Sequence, residues 1–325
     1  MKKLIAALGV ATALTLAPQI AAAQDFPAQP ITIVVPFAAG GPTDTVTRLV
    51  AQAMSQDLGQ QVVVENVGGA GGTLGAARVA QAEANGYTLL LHHIGMATTA
   101  TLYRELPYNA IEDFEHVGLV TEVPMVMVGR PDLEANSMEE VVAYVRENGE
   151  DVMYANAGIG AASHLCGLLF MDAVDTQMTT IPYQGTGPAL TDLMGGQVDL
   201  MCDQTTNTTN QIRDGSIKGF AVTVPERLDA LPDIATAAES GLDGFEVTIW
   251  HGVYAPKGTP EDVVARLSQS LQVALQDETV IERFADLGTA PSSQEDATPE
   301  ALKAKLEAEI NLWRPIIEAA GVYAN

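Results

Sequence analysis

Apolar positions along this chain follow two rhythms that alternate. Residues 31–35, Ile-Thr-Ile-Val-Val, are a β-branched run interrupted only by Thr32. Such a run suits a strand buried on both faces of a parallel sheet. It enters Pro36-Phe37-Ala38-Ala39-Gly40-Gly41-Pro42-Thr43-Asp44, a turn-rich loop. Val46, Leu49, Val50, Ala53 and Met54 then share one helical face, and Gly59 stands where a C-terminal cap belongs. Strands at 62–65 and 87–91 enclose a Gly-rich loop at 68–72 and a short helix reaching about 84. This βαβαβ order predicts right-handed crossovers and a mostly parallel sheet.

The rhythm resumes further on. Ser137-Met138-Glu139-Glu140 is a capping-box signature ahead of inward-facing Val141, Val142 and Val145. Strands at 151–155, 178–182 and 197–202 each run into a loop of small or polar residues that opens a helix, and a strand at 217–223 closes the set. Residues 245–255 read as a long strand. Thr259-Pro260 and Thr298-Pro299 each place an N-cap before proline. Leu302, Leu306, Ile310, Trp313 and Ile317 have helical spacing, which makes Trp313 a core residue. The segments at about 119–128 and 244–254 can both cross between two α/β units. The expected layout is therefore an interleaved two-lobed hinge protein: residues 24–124 plus 246–325, around 125–245.

Composition narrows the function. Of 325 residues, 47% are hydrophobic and 18% are charged, sparing beside the ~25% usual in globular domains. Sixteen Lys and Arg stand against 41 Asp and Glu, a net charge of −25. Scattered cations give no footprint for nucleic acid or for an anionic lipid surface. Lys2 and Lys3, the apolar stretch from Leu4 to about Leu16, and Ala21-Ala22-Ala23 read as a secretory signal peptide over 1–23. No later stretch approaches the ~20 apolar residues of a membrane span, so no membrane insertion is expected. In an exported chain, Cys166 and Cys202 favour a disulfide, with two buried thiols as the alternative.

The usual catalytic and nucleotide motifs are absent, and the run Gly68–Gly75 never gives G-x-G-x-x-G in register. No metal set or cofactor is expected. His92 and His93 are adjacent on a strand and should point to opposite faces, which would keep them from one site. What recurs is a strand ending in a small-residue loop that opens a helix, at 36–45, 156–164 and 183–188. Strand C-termini face the ligand crevice of an open sheet, and helix N-termini offer N–H groups and partial positive charge. The pattern points to a carboxylate held by backbone, without an arginine clamp. A secreted enzyme using His164 and Asp203 as an acid–base pair is the competing reading.

Residues 30–44 together with Arg48 resemble the opening of the Bug family, the periplasmic solute-binding receptors of tripartite tricarboxylate transporters. The likeness continues through Val64-Glu65-Asn66, Gly69–Gly72, Asn85–Leu90, Tyr183–Ala189, Asp192–Asp199, Pro225-Glu226-Arg227 and Tyr254–Pro260. Asn85 departs from the family's usual Asp, and alanines replace Gly and Ser before Ser163-His164. The resemblance implies a type II-like Venus-flytrap fold: two lobes, each a mostly parallel sheet flanked by helices, with two crossover strands at the hinge. It implies a monomeric receptor whose partners are a small carboxylate and the transporter's membrane components. Phe37, Ala39, Gly40, Thr43 and Asp44 would be contacts from the first lobe. Gly158, Gly160, Ala161, Ala162, Ser163 and His164 would serve from the second, with Tyr183, Gly185 and Gly187. His93, Gly95, Cys166, Cys202 and Asp203 lie in segments that look like the subgroup binding acidic amino acids, aspartate especially. Asp203 would then meet a ligand ammonium, or else cap the following helix. A plain dicarboxylate, an aromatic carboxylate and a sensor role remain alternatives.

Overall fold

The computed structural model describes residues 26–321, 323 and 324; the expected leader, 1–23, lies outside them. The first lobe opens with β1 (Ile31–Val35), α1 (Pro42–Leu58), β2 (Val62–Asn66), α2 (Thr73–Ala80), β3 (Thr88–His93) and α3 (Gly95–Leu102), and β4 (Phe114–Gly129) then leaves it. The second lobe contains α4 (Met138–Asn148), β5 (Met153–Asn156), α5 (Ala162–Val174), β6 (Thr179–Pro182), α6 (Thr186–Met194), β7 (Leu200–Gln204), α7 (Thr205–Arg213), β8 (Lys218–Val222) and β9 (Ala235–Thr236). The chain returns along β10 (Thr248–Pro256) and finishes with α8 (Glu261–Ala274), α9 (Glu278–Asp286), β11 (Ala290–Pro291) and α10 (Pro299–Ala320).

The main strand order is β2-β1-β3-β10-β4-β7-β5-β6. β1 runs parallel to β2 and β3, and β5 runs parallel to β6 and β7. The antiparallel pairs gather where the lobes meet. β4 pairs with β10 as far as Pro124, and Met125–Gly129 then pair with β7 and β8. A proline has no N–H for a ladder, and Pro124 stands where β4 changes partners. The second crossing is shorter than the 245–255 strand read from sequence. β10 starts at Thr248, and Phe245 and Val247 are buried in the apolar layer ahead of it. The Val247 N–H donates to the Thr223 carbonyl at 2.9 Å, which ties this stretch to the second lobe instead of to β4.

Apolar clusters follow the two faces of the sheet, and a small fourth one, Val35, Phe37, Ala157 and Ala161, lies at a cavity between the lobes. One packs the β1, β3 and β10 side chains Ile31, Ile33, Leu89, Leu91 and Val253 against α1, α8 and α9. A second packs Val126, Val128 and Met201 against α6. The third crosses the hinge, from Val34 and Leu90 through Met125 and Met127 to Tyr154 and Phe170. Leu302, Leu306, Ile310, Trp313 and Ile317 of α10 join it as one buried face. Leu302 fills the space that a side chain at Gly252 would occupy.

Capping chemistry is partly as the sequence suggests. Ser137 Oγ accepts from the Glu140 N–H, while the Glu140 carboxylate reaches past the Ser137 N–H of a closed box to the Asn136 N–H. Thr298 caps α10 through the Ala301 N–H. Thr259 does not cap α8. Its hydroxyl donates to the Pro256 carbonyl at 2.8 Å and closes the turn after β10, so the helix starts behind Pro260 instead.

Cys166 on α5 and Cys202 on β7 form a disulfide across 36 residues. Tyr154 reinforces it: its hydroxyl donates to the Ser163 carbonyl at 2.6 Å and accepts from the Cys202 N–H at 3.1 Å. The ring passes where any Cβ at Gly167 would sit. Closing a loop of this length lowers the entropy of the unfolded chain by the equivalent of about 4 kcal/mol. The Cys166→Ala/Cys202→Ala double variant is therefore expected to lose stability of that order in urea unfolding; a change under 1 kcal/mol would assign the bond no such role.

Candidate functional site

The site forms where α1, α5, α6 and α7 begin. Each starts directly after a strand or its loop, and their first residues face one another between the lobes. Their N-caps are Gly41, Ala161, Gly185 and Gln204, and none makes a side-chain cap hydrogen bond. By contrast, α4, α9 and α10 are closed by Ser137, Asp277 and Thr298. A helix leaves its first N–H groups without intrahelical partners and carries roughly half a positive charge there. Four uncapped starts make a positive site, and among the described residues no Lys or Arg lines it.

The inner cavity is about 10 Å³, the space of roughly one water molecule. Phe37, Thr43, His93, Ala162, Ser163 and Asp203 line it, all read from sequence as candidates. Gly41, Pro42, Ala157, Thr186 and Gln204 line it too and were missed. Gly41, Pro42 and Thr186 belong to the two glycine-bearing loops already noted, and Gln204 follows Asp203 at a strand end, so position was the available signal. The Thr186 hydroxyl and Gln204 Oε1 are buried without completed hydrogen bonds.

The other candidates do different work. Asp44 accepts from the Gly40 N–H, from Arg48 and from Asn66, while the Asn66 amide also donates to the Phe37 carbonyl. Burial alone would raise its pKa, but these bonds outweigh it and hold the carboxyl below the usual range. Asp44 thus shapes the loop that presents Phe37. Ala39 and Gly40 are exposed on that loop, outside the inner cavity. Gly185 and Gly187 are points of backbone contact between lobes: a Cβ on either would lie 2.8 Å from Ala38 N or Ala39 O. Gly158 turns at φ +98° against Gly71, and its carbonyl accepts from the Ala161 N–H. Gly160 accepts from the Thr98 hydroxyl across the cleft. Tyr183 lies on an outer cavity of about 890 Å³, its hydroxyl donating to Asp192.

The histidines correct the alternation argument. His92 and His93 do not diverge: their ring centroids are 5.0 Å apart, and both pack on Phe37. β3 ends at His93, and the His93 N–H donates to His92 Nδ1, folding that ring back along the turn. His93 Nδ1 accepts from the Gly95 N–H, which leaves Nε2–H as the ring's donor. His251 completes the group, 5.9 Å from His93 and within reach of the Thr43 hydroxyl. His164 is buried beside the Gly160 N–H and is absent from the inner cavity's lining. Among the described residues, no group of His, Cys, Asp or Glu could hold a metal ion.

Asp203 is 1% exposed, at the end of β7. Its carboxylate accepts from the Asn207 amide at 2.6 Å, and the Thr186 hydroxyl approaches it without completing a bond. Burial pushes its pKa up to about 6, against the lowering effect of these neighbours. Among the described residues, no Lys or Arg pairs with it. All five histidines titrate lower than usual because burial disfavours the cation: His92 and His251 near 3, His116 and His164 near 4, and His93 well below 6.5. The folded state therefore excludes protons that the unfolded chain binds, and stability present above pH 6.5 is lost on acidification. Asp203 acts with the opposite sign as pH falls through 6. Unfolding at pH 5.5 is expected to take up about four protons, read from the pH dependence of urea unfolding; a flat profile between pH 7 and 5 would contradict the neutral cluster.

Residues 46–322 match the family model described as the tripartite tricarboxylate transporter family receptor. The UPF0065 protein in the TAR-I ttuE-ttuC' intergenic region of Agrobacterium vitis is 55% identical over 94% of this chain and 89% of its own. The periplasmic binding protein BugD superposes with a TM-score of 0.90 at 50% identity, covering 92% of this chain and all of its own. MatC from Rhodopseudomonas palustris, solved with bound malate, has a TM-score of 0.87 at 40% identity, over 90% of this chain and all of its own. The chain belongs to the tripartite tricarboxylate transporter receptor family and is a periplasmic solute-binding receptor of that type.

Proposed function

We propose that this receptor captures a small dicarboxylate bearing an α-amino group, with aspartate as the reference ligand, and delivers it to the membrane components of a tripartite tricarboxylate-type transporter. The observation that carries this reading is Asp203: a buried carboxylate, without a cationic partner among the described residues, in a cavity lined by the first residues of four helices together with Phe37, His93 and Ala157. The N-termini favour the ligand's carboxylates, and Asp203 favours its ammonium. The malate bound to MatC supports the dicarboxylate part of the assignment. A space of about 10 Å³ is too small for a four-carbon acid, so loading requires the lobes to part. The lobes are taken as residues 24–124 with 246–325 and as 125–245, turning about Pro124 and the stretch before Thr248.

A thermal-shift series checks the ligand class. Aspartate is expected to raise the melting temperature and neutral amino acids to leave it unchanged. Stabilisation by no mono- or dicarboxylate at all would sink the anion-cleft assignment. Gly187→Ala tests the role of lobe contact. Residue 187 lies in the first turn of α6, so alanine is tolerated by the helix, but its Cβ meets Ala39 O at 2.8 Å. Overpacking of this kind costs about 1–3 kcal/mol, so ligand affinity should fall about 5- to 150-fold while the free protein melts normally. Unchanged affinity by calorimetry would remove lobe closure from the binding step.

A further inference from the structure

We propose that Asp203 takes up a proton when the cavity binds a dicarboxylate that lacks an amino group, so that one site serves two ligand classes and couples only the second to proton uptake. This rests on the reading of the cavity as an anion site with Asp203 facing the ligand. Ionised, Asp203 only accepts hydrogen bonds, and a ligand ammonium can satisfy it. Protonated, it becomes a donor that can bond a ligand hydroxyl or carboxylate oxygen. The proton comes from solvent and sits on one Asp203 oxygen; no covalent bond in the ligand changes.

The surroundings leave Asp203 as the group that can make this exchange. From β5, Tyr154 bonds the backbone beside it, and its hydroxyl is held neutral by burial. From α6 and α7, Thr186, Gln204 and Asn207 are uncharged. From β3 and β10, His93 and His251 are kept neutral, and from α5 so is His164. Asp44 on α1 is committed to Arg48 and Asn66. Asp203 itself, raised to about 6, costs little to protonate near neutral pH.

Calorimetry of the full protein with L-aspartate and with L-malate, at pH 6–8 in buffers of different ionisation enthalpy, tests the idea. Malate is expected to bind with uptake of close to one proton at pH 7.5, its affinity rising about tenfold per unit fall in pH down to 6.5. Aspartate is expected to take up none. Asp203→Asn, which mimics the protonated acid, should bind malate without proton uptake and without that pH slope. Equal proton counts for the two ligands in the unaltered protein overturn the inference, as does binding of aspartate with no binding of malate at pH 6. These counts need no variant, so they stand even if Asp203→Asn folds poorly. Binding of neither ligand overturns the anion-site reading itself, and this inference with it.

Discussion

Backbone amides can hold an anion only if the chain comes close to it, and here four uncapped helix starts come close around one cavity. At three of these starts the residues are small: Gly41, Ala161, Gly185 and Gly187 put at most a methyl group between one lobe's backbone and the other's, while α7 begins at Gln204. The side-chain caps found on α4, α9 and α10 are missing from α1, α5, α6 and α7, as they are from α2, α3 and α8, which do not line the cavity. A cap would satisfy N–H groups that are left free at these starts. The acidity of the whole chain does not oppose this, because field near a helix terminus is local and dipolar.

That convergence is held in place by parts distant from the cavity. β4 belongs to both lobes and changes partners at Pro124, while one apolar cluster runs unbroken across the change. The lobes thus share a spine yet meet elsewhere through few hydrogen bonds, such as the Ala38 N–H to the Gln184 carbonyl and the Thr98 hydroxyl to the Gly160 carbonyl. Behind the second lobe's contribution, the disulfide and the Tyr154 hydroxyl fix the start of α5 against β7, which sets Ser163 relative to Asp203. On the first lobe, Asp44 and Asn66 do the equivalent for the Phe37 loop.

Periodicity located β1 at its observed bounds and the buried face of α10, because each side chain's burial there follows from its spacing alone. It failed where the chain turns. His92 and His93 alternate only while β3 continues, and the strand stops at His93. Thr259 has the right spacing for a cap, but its hydroxyl finds the Pro256 carbonyl first. Thr186 and Gln204 entered the cavity unannounced, since neither carries a motif of its own.

The sequence by itself determined the α/β order and the small-residue loops, both of which are local patterns of size, polarity and spacing. Only the tertiary structure decided which loop residues meet. Phe37, Ser163 and Asp203 lie more than a hundred residues apart in part, and their proximity depends on strand order and lobe separation. It also decided the chemistry of Asp203 and the histidines, because a charge state is set by burial and neighbours that no linear pattern contains.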